Sequence, residues 1–381
     1  MGVALRILHL SQYRSQGGAA KMAFALHEAL RALGVDSRFL CQEPAANPGS
    51  PDVVSEVSGD PYLEGPGRTL SPGRLDHALQ RLDRVPLVAY PRRTREPFSP
   101  AIIPGGLLAT IRRLAPDVVH LHWIGGGFLS MGEIARLPGP LVWTLHDLWP
   151  FTGGCHYPGA CQGFEGQCGS CPVLGSPWAW DLSSCGQRRK QAYASRADLH
   201  AVGISRWMVK MAERSSLLRD REVTWIPNGV DRAIFSPGDR AAARAALGIE
   251  AAARIVLFGA VSPFGERRKG GALLWEALGR LASDPEVDAP ALRCLVFGGG
   301  AAAPLPEVGP VSIETLGHVA DPARLALLYR AADLVVVPSL QEGFGLVTAE
   351  ALACGAKVVA FRHTGADELI AHRVTGYLAE P

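Results

Sequence analysis

The chain has almost no net charge: 38 lysines and arginines stand against 36 aspartates and glutamates, leaving +2. The basic clusters, "PRRTRE" at 92–97 and the runs at 188–190 and 267–269, are short and separated. A nucleic-acid binder needs a continuous basic stripe, so no nucleic-acid partner is expected. Long apolar runs are missing too. None approaches the ~20 residues that cross a bilayer. The opening "MGVALRILHLSQ" is too short an apolar run for a secretory signal and has no small-residue cleavage site. A cytoplasmic location is expected, at most peripheral at the inner membrane face. Solenoid repeats and low-complexity tails are absent as well.

What the chain does have is alternation. Short apolar runs ending in Gly, His or Asp alternate with amphipathic helical stretches, the pattern of a parallel, doubly wound α/β sheet. "LRILHLS" (5–11), "DSRFLCQ", "DVVHLHW", "PLVWTLHD" and "HAVGISR" read as strands of one unit. "AAKMAFALHEALRALG" (19–34) reads as a helix with Ala23, Leu26, Leu30 and Leu33 on its buried face, stopping at Gly34. Residues 43–75 are rich in Pro and Gly and read as loop. The pattern restarts with "RIVLFGAVS" (254–262), "LRCLVFGGG" (292–300) and "DLVVVPSL" (333–340). Two Rossmann-like domains facing a cleft are therefore expected, residues 1–215 and 216–381, with ligands at the carboxyl ends of the strands.

The richest stretch is "QEGFGLVTAE" (341–350). Gly343 and Gly345 allow a tight turn and a close ligand approach. A helix start there offers unpaired N–H groups and partial positive charge to a phosphate. Glu342 and Glu350 gain nothing by facing a phosphate, so they are expected to accept hydrogen bonds from sugar or ribose hydroxyls. "GERRKGG" (265–271) puts Arg268 and Lys269 at a helix start, where cations oppose the dipole unless an anion neutralises them. Gly17 and Gly18, after the first strand, can bring backbone N–H groups against the same kind of anion.

"IPNGVD" (226–231), "RKG" (268–270), "LGHV" (316–319) and "PSLQEGFGLVTAEALACG" (338–355) together resemble the nucleotide-sugar glycosyltransferases of family 4, with the GT-B fold. The resemblance implies retaining transfer of a sugar from a UDP- or GDP-sugar to a saccharide or lipid-linked acceptor, with no cofactor required. Glu350 would bind ribose, Glu342 a sugar hydroxyl, and Arg268 and Lys269 the diphosphate. The backbone of Phe344, Gly345 and Leu346 would meet sugar and phosphate, and that of His318 and Val319 the base. His122 would reach the donor sugar, with His120 read as facing the other side of its strand; His146 and Asp147 are acceptor-side candidates. Two departures stand out. Ala260 replaces an arginine that many relatives carry, and the helix that usually follows "GYLAEP" is not in this sequence, which leaves domain closure in question. The same fold and donor also serve nucleotide-sugar 2-epimerases, and a non-catalytic nucleotide-sugar binder is the remaining alternative.

Cys155, Cys161, Cys168 and Cys171 crowd one loop (153–172), with Cys185 shortly after. A subset resembling exopolysaccharide and colanic-acid-type transferases has such a loop after "WTLHDLWPFTG". The Cys-x2-Cys pair with two further thiols leaves open a structural zinc, disulfides or free thiols.

Overall fold

A computed structural model describes residues 5–42, 53–55, 81–261, 263, 265–287, 292–299 and 305–381. The chain divides into two compact units, Met1–Pro227 and Asn228–Pro381. The first extends past residue 215 because the short strand Val223–Trp225 pairs in parallel with its sheet.

In the first unit the strands are β1 (Arg6–Leu10), β2 (Asp36–Cys41), β3 (Val53–Ser55), β4 (Val118–Leu121), β5 (Leu141–Leu145), β6 (Leu199–Gly203) and β7 (Val223–Trp225). They lie in the order β3-β2-β1-β4-β5-β6-β7, and every pairing is parallel. Strand β3 falls inside the stretch read as loop, most of which lies outside the described residues. Helices α1 (Gly17–Ala32), α2 (Leu108–Leu114), α3 (Met131–Ile134), α4 (Leu182–Ala194) and α5 (Arg206–Arg214) belong to this unit. The buried side of α1 is Ala20, Ala23 and His27. Leu33, expected inside, is 80% exposed and Leu26 37%. Small residues let the helix pack close to the sheet beside His27, whose Nδ1 lies 2.8 Å from Ser37 Oγ.

The second unit holds β8 (Arg254–Gly259), β9 (Leu292–Phe297), β10 (Ser312–Gly317), β11 (Leu334–Val337), β12 (Val358–Phe361) and β13 (Gly376–Ala379), in the order β10-β9-β8-β11-β12-β13. Its helices are α6 (Arg240–Leu247), α7 (Gly271–Ala282), α8 (Pro322–Ala331) and α9 (Leu346–Ala353). Alternate residues of β8 enter two separate cores. Ile255 and Leu257 pack with Tyr329, Val335 and Ala351, whereas Val256 and Phe258 pack with Leu274, Leu278 and Cys294. A sheet covered on both faces explains why these strands read as continuous apolar runs. Both units thus have the doubly wound α/β order that reverses direction at its first strand.

Candidate active site

In the second unit, β11 ends at Val337 and the chain turns through residues 338–345 into α9. Gly345 caps that helix with φ +89°, and no side chain caps it. The left-handed backbone requires glycine, and the uncapped end leaves its N–H groups open to a ligand. Thr348, in the first turn, is fully buried and its hydroxyl has no partner among the described residues. Gly365 supports the turn from behind: its N–H donates to Glu342 O at 2.8 Å, and a Cβ on it would stand 2.2 Å from Gly343 O.

Arg268 and Lys269 lie in a 3-10 turn (Arg267–Lys269) that precedes α7, rather than in the helix itself. Gly270 joins the two with φ +71°, so close to β11 that a Cβ would lie 1.8 Å from Pro338 O. This contact brings the two loops together. Lys269 Nζ donates to Glu342 Oε2 at 2.6 Å, and Arg268 stands 3.8 Å from the same oxygen. Burial raises the carboxyl of Glu342, but the charges of Lys269 and Arg268 outweigh it and hold the group below the ordinary carboxylate range. Arg268 is a brace: it donates to Glu266 Oε1 at 3.0 and 2.5 Å and to Gln341 O at 2.7 Å. Lys269, with three donors on one point charge, is the better placed of the two for an arriving anion.

Glu350 lies one turn into α9, and Tyr329 on α8 donates its hydroxyl to Glu350 Oε2 at 2.8 Å. Tyr329 is wholly buried. Burial, then the Glu350 charge, raises its phenol far above the usual range. Sequence reasoning missed Tyr329, Glu266 and Gly365. A tyrosine in a helix reads as core, and only the fold brings it to the glutamate. His318 is exposed and Val319 buried just after β10, and Ala260 follows β8 with its N–H bonded to Phe297 O.

In the first unit, Gly17 opens α1 with φ +83°, a Cβ there would meet nothing within 4 Å, and the Gln16 side chain makes no cap. The end of β1 therefore faces an open helix N-terminus beside Gly17 and Gly18. Beside it runs a chain of imidazoles. His9 Nδ1 lies 3.0 Å from His122 Nε2, and His122 Nδ1 lies 3.1 Å from His146 Nε2. His120 is on the same face as His122, its ring centroid 4.2 Å away, contrary to expectation. Residues two apart in a strand share a face, and His9 and His120 are register partners. Burial drives all four rings toward the neutral form: His9 to about 2, His120 to about 3, His146 to about 4, and His122 far below its ordinary value. Both ring nitrogens of His122 face other histidines, so the part-exposed His146 forms the accessible end of the chain.

Asp147 turns the other way. Its Oδ2 accepts from Trp123 Nε1 at 2.8 Å and from His156 Nδ1 at 2.7 Å, and its Oδ1 from the Trp149 amide at 2.9 Å. These bonds fix the loop after β5. Burial raises this carboxyl, but His156 and the hydrogen bonds hold it below its ordinary value.

The thiols of Cys155, Cys161, Cys168 and Cys171 are all free. Burial raises Cys155 above its ordinary value and Cys168 to about 11, and neighbouring thiols add to both shifts. The four cysteines thus share one neighbourhood, but no three of their sulfurs gather within 4.8 Å. The one such trio of metal-type ligands among the described residues is His9, His120 and His122. A tetrahedral zinc needs tighter convergence than the loop has as it stands. Among the described residues, no helix is long and apolar enough to cross a membrane.

Two doubly wound units of this order, with a charged turn before α9, define a GT-B glycosyltransferase architecture. The description "Glycosyltransferase Family 4" matches residues 16–234 and "Glycosyl transferases group 1" matches 252–381. The chain belongs to glycosyltransferase family 4. A D-inositol 3-phosphate glycosyltransferase of Segniliparus rotundus is 40% identical over 171 residues, 42% of this chain and 36% of that protein. One from Corynebacterium glutamicum is 28% identical over 338 residues, 81% of this chain and 72% of that protein. The chain thus spans about a third of the length of the first of these relatives. Sucrose-phosphate synthase from Thermosynechococcus elongatus superposes with a TM-score of 0.62 at 20% identity, over 99% of this chain and 86% of that one.

Proposed function

We propose that this protein transfers a sugar, with retention of configuration, from a nucleotide diphosphate donor to a hydroxyl of a saccharide, lipid-linked saccharide or polyol phosphate. The observation that carries this reading is the 2.6 Å pair of Lys269 and Glu342 in the turn that opens α9. A partly buried lysine beside an uncapped helix N-terminus suits a leaving diphosphate, because both stabilise the negative charge that develops as the glycosidic bond breaks. Glu342 keeps that lysine in place before the donor arrives and accepts from a sugar hydroxyl once the diphosphate shares the ammonium. Glu350, oriented by Tyr329, accepts from the ribose. The backbone at Phe344, Gly345 and Leu346 meets sugar and phosphate, and that at His318 and Val319 meets the base.

In the first unit, His146 replaces His122 as the ring that meets the donor sugar or acceptor, because His122 is enclosed by His9 and His146. The Gly17–Gly18 turn offers N–H groups to the diphosphate. UDP- and GDP-sugars are the donors to test first. No metal takes part in the transfer. The cysteine loop is a zinc-holding element only if its four thiols draw together on binding, and metal analysis of chelator-free protein tests this: about one zinc per chain supports it and none sinks it.

The test is release of nucleoside diphosphate from UDP-, GDP- and ADP-sugars in the presence of candidate acceptors, with Lys269→Ala and Glu350→Ala beside the parent. Release from one donor, lost in both variants, supports the proposal. The product's anomeric configuration by NMR tests retention, and an epimerised donor would point instead to isomerase chemistry. Donor binding without turnover on any acceptor would sink the catalytic reading.

A further inference from the structure

A cavity of about 530 Å³ opens in the first unit, walled by side chains from the segments on either side of residues 89–92 and by Trp123, Gly126 and His156. Its volume is that of a site for a small molecule. Four arginines line it, Arg81, Arg84, Arg93 and Arg95, all exposed. Two carboxylates accompany them, Asp83 and Glu96. Asp83 is buried and already accepts three backbone N–H bonds, from Ala101, Ile102 and Ile103 at 3.1, 2.6 and 3.1 Å. The balance of charge facing the space is therefore positive. Single exposed arginines are ordinary surface. Here they come from two separate chain segments and line one concave space, where the field of like charges is concentrated.

The buried part of the wall is polar and ordered. Asp147 accepts from His156 Nδ1, so in the neutral ring Nε2 accepts from Ser99 Oγ at 2.8 Å. The Gly126 amide donates to the same hydroxyl oxygen at 3.2 Å. Ser99 and His156 both border the cavity and both are almost fully buried. Such a wall suits the hydroxyl groups of a polyol, and the rim suits a group that guanidinium forks grip in two places, a phosphate.

We propose that this cavity receives the acceptor by its phosphate: arginines of the rim, Arg84 and Arg93 foremost, bind the anion, while Ser99 Oγ, held in place by His156 and the Gly126 amide, accepts from a ligand hydroxyl with its remaining lone pair. This deepens the glycosyltransferase reading and rests on it. The phosphate is that of a soluble polyol or sugar phosphate or of a lipid-borne diphosphate, and exposed Val85 and Val88, which line the same cavity, would meet the tail of the latter.

The experiment is calorimetric binding of D-inositol 3-phosphate, unphosphorylated inositol and farnesyl diphosphate to the full chain. Parent, Arg84→Gln/Arg93→Gln and Ser99→Ala are compared, with UDP binding and thermal unfolding as checks on folding. At least a tenfold preference for a phosphate-bearing probe is expected, falling tenfold or more in the double arginine variant and steeply with salt. Ser99→Ala should weaken the polyol phosphate a few-fold and leave farnesyl diphosphate unchanged. Binding of the inositol phosphate assigns a soluble acceptor, and binding of farnesyl diphosphate alone assigns a lipid-borne one. Parent protein that binds neither, or a folded double variant that binds as the parent does, overturns the proposal. Binding needs no turnover, so failure of sugar transfer with every donor would count against the proposed function and leave this result standing.

Discussion

The two units share one architecture and put opposite electrostatics at their strand ends. In the second, Glu342, Lys269, Arg268 and Glu266 are interlocked at 2.5–3.8 Å. In the first, His9, His120, His122 and His146 are all driven toward neutrality by burial. Under the proposed function, charge is retained where the leaving diphosphate needs it, and counter-charges make it tolerable in a partly dry site. Neutral rings fill the other strand ends, where each imidazole can give one hydrogen bond and take another. The strand ends of the second unit are thus tied by ion pairs, and those of the first by a hydrogen-bonded chain that loses a bond when a ring that accepts is protonated.

Acid should expose this difference most strongly. A histidine whose folded pKa lies below its ordinary 6.5 contributes stability that is complete above pH 6.5 and is lost as pH falls, since the unfolded chain takes up protons that the folded one refuses. His146 adds to the loss down to about pH 4, His120 down to about 3 and His9 down to about 2. Each ring contributes up to about 1.4 kcal/mol per pH unit, so over the two pH units below 6.5 these three rings set an upper limit of about 8 kcal/mol on what the first unit loses by pH 4.5. Asp147, also depressed, acts in the same direction, but only below the ordinary carboxylate range, outside this window. Urea unfolding followed by tryptophan fluorescence reads it, because Trp275 is the only tryptophan beyond Pro227. A first unit as stable at pH 4.5 as at pH 7 would contradict the neutral chain.

The second unit should break through its charges. Lys269→Ala is expected to lower kcat by about 10²–10³-fold, the scale of losing one preorganised donor at a developing anion. Glu342→Gln should lose nearly as much while leaving Arg268 braced by Glu266. If Lys269→Ala changes only KM, the lysine binds ground state and transition state alike, and its catalytic role falls. Gly365→Ala tests the turn without touching a charge. Its Cβ would stand 2.2 Å from Gly343 O, so the Glu342 turn must shift, at about 1–3 kcal/mol of stability and with weaker donor binding. An unchanged melting temperature and donor affinity would show that the turn moves freely.

The fold was legible because both sheets are parallel and buried on two faces, which writes each strand as an apolar run. The charged turn was legible because two glutamates bracket its glycines and its cations sit beside a helix start that would otherwise repel them. The histidine chain was not. It joins residues from β1, the end of β4 and the end of β5, and only the register that sets His9 opposite His120 reveals it. Leu26 and Leu33 misled for a related reason: an apolar period marks a face, but close packing against β2 favoured the side with Ala20 and Ala23. The arginine cavity escaped notice because "PRRTRE" supplies only Arg93 and Arg95, and nothing in the spacing ties that run to Arg81 and Arg84 across one concave surface.

The smallest predicted effect concerns Tyr329, whose hydroxyl reaches Glu350 at 2.8 Å. Tyr329→Phe keeps the ring among Phe235 and Phe297 and removes a single hydrogen bond to a carboxylate, about 1–2 kcal/mol at most. If Glu350 binds ribose, the loosened carboxylate should raise donor KM about three- to tenfold and leave kcat nearly unchanged, because the ribose contact is equal in ground and transition states. If Glu350 instead only caps the core beside Tyr329, the variant should melt earlier with donor KM unmoved. The split between KM and melting temperature therefore separates a ribose ligand from a structural acid at the same position, and Glu350→Gln, which keeps the shape but not the charge, should repeat the KM effect only in the first case.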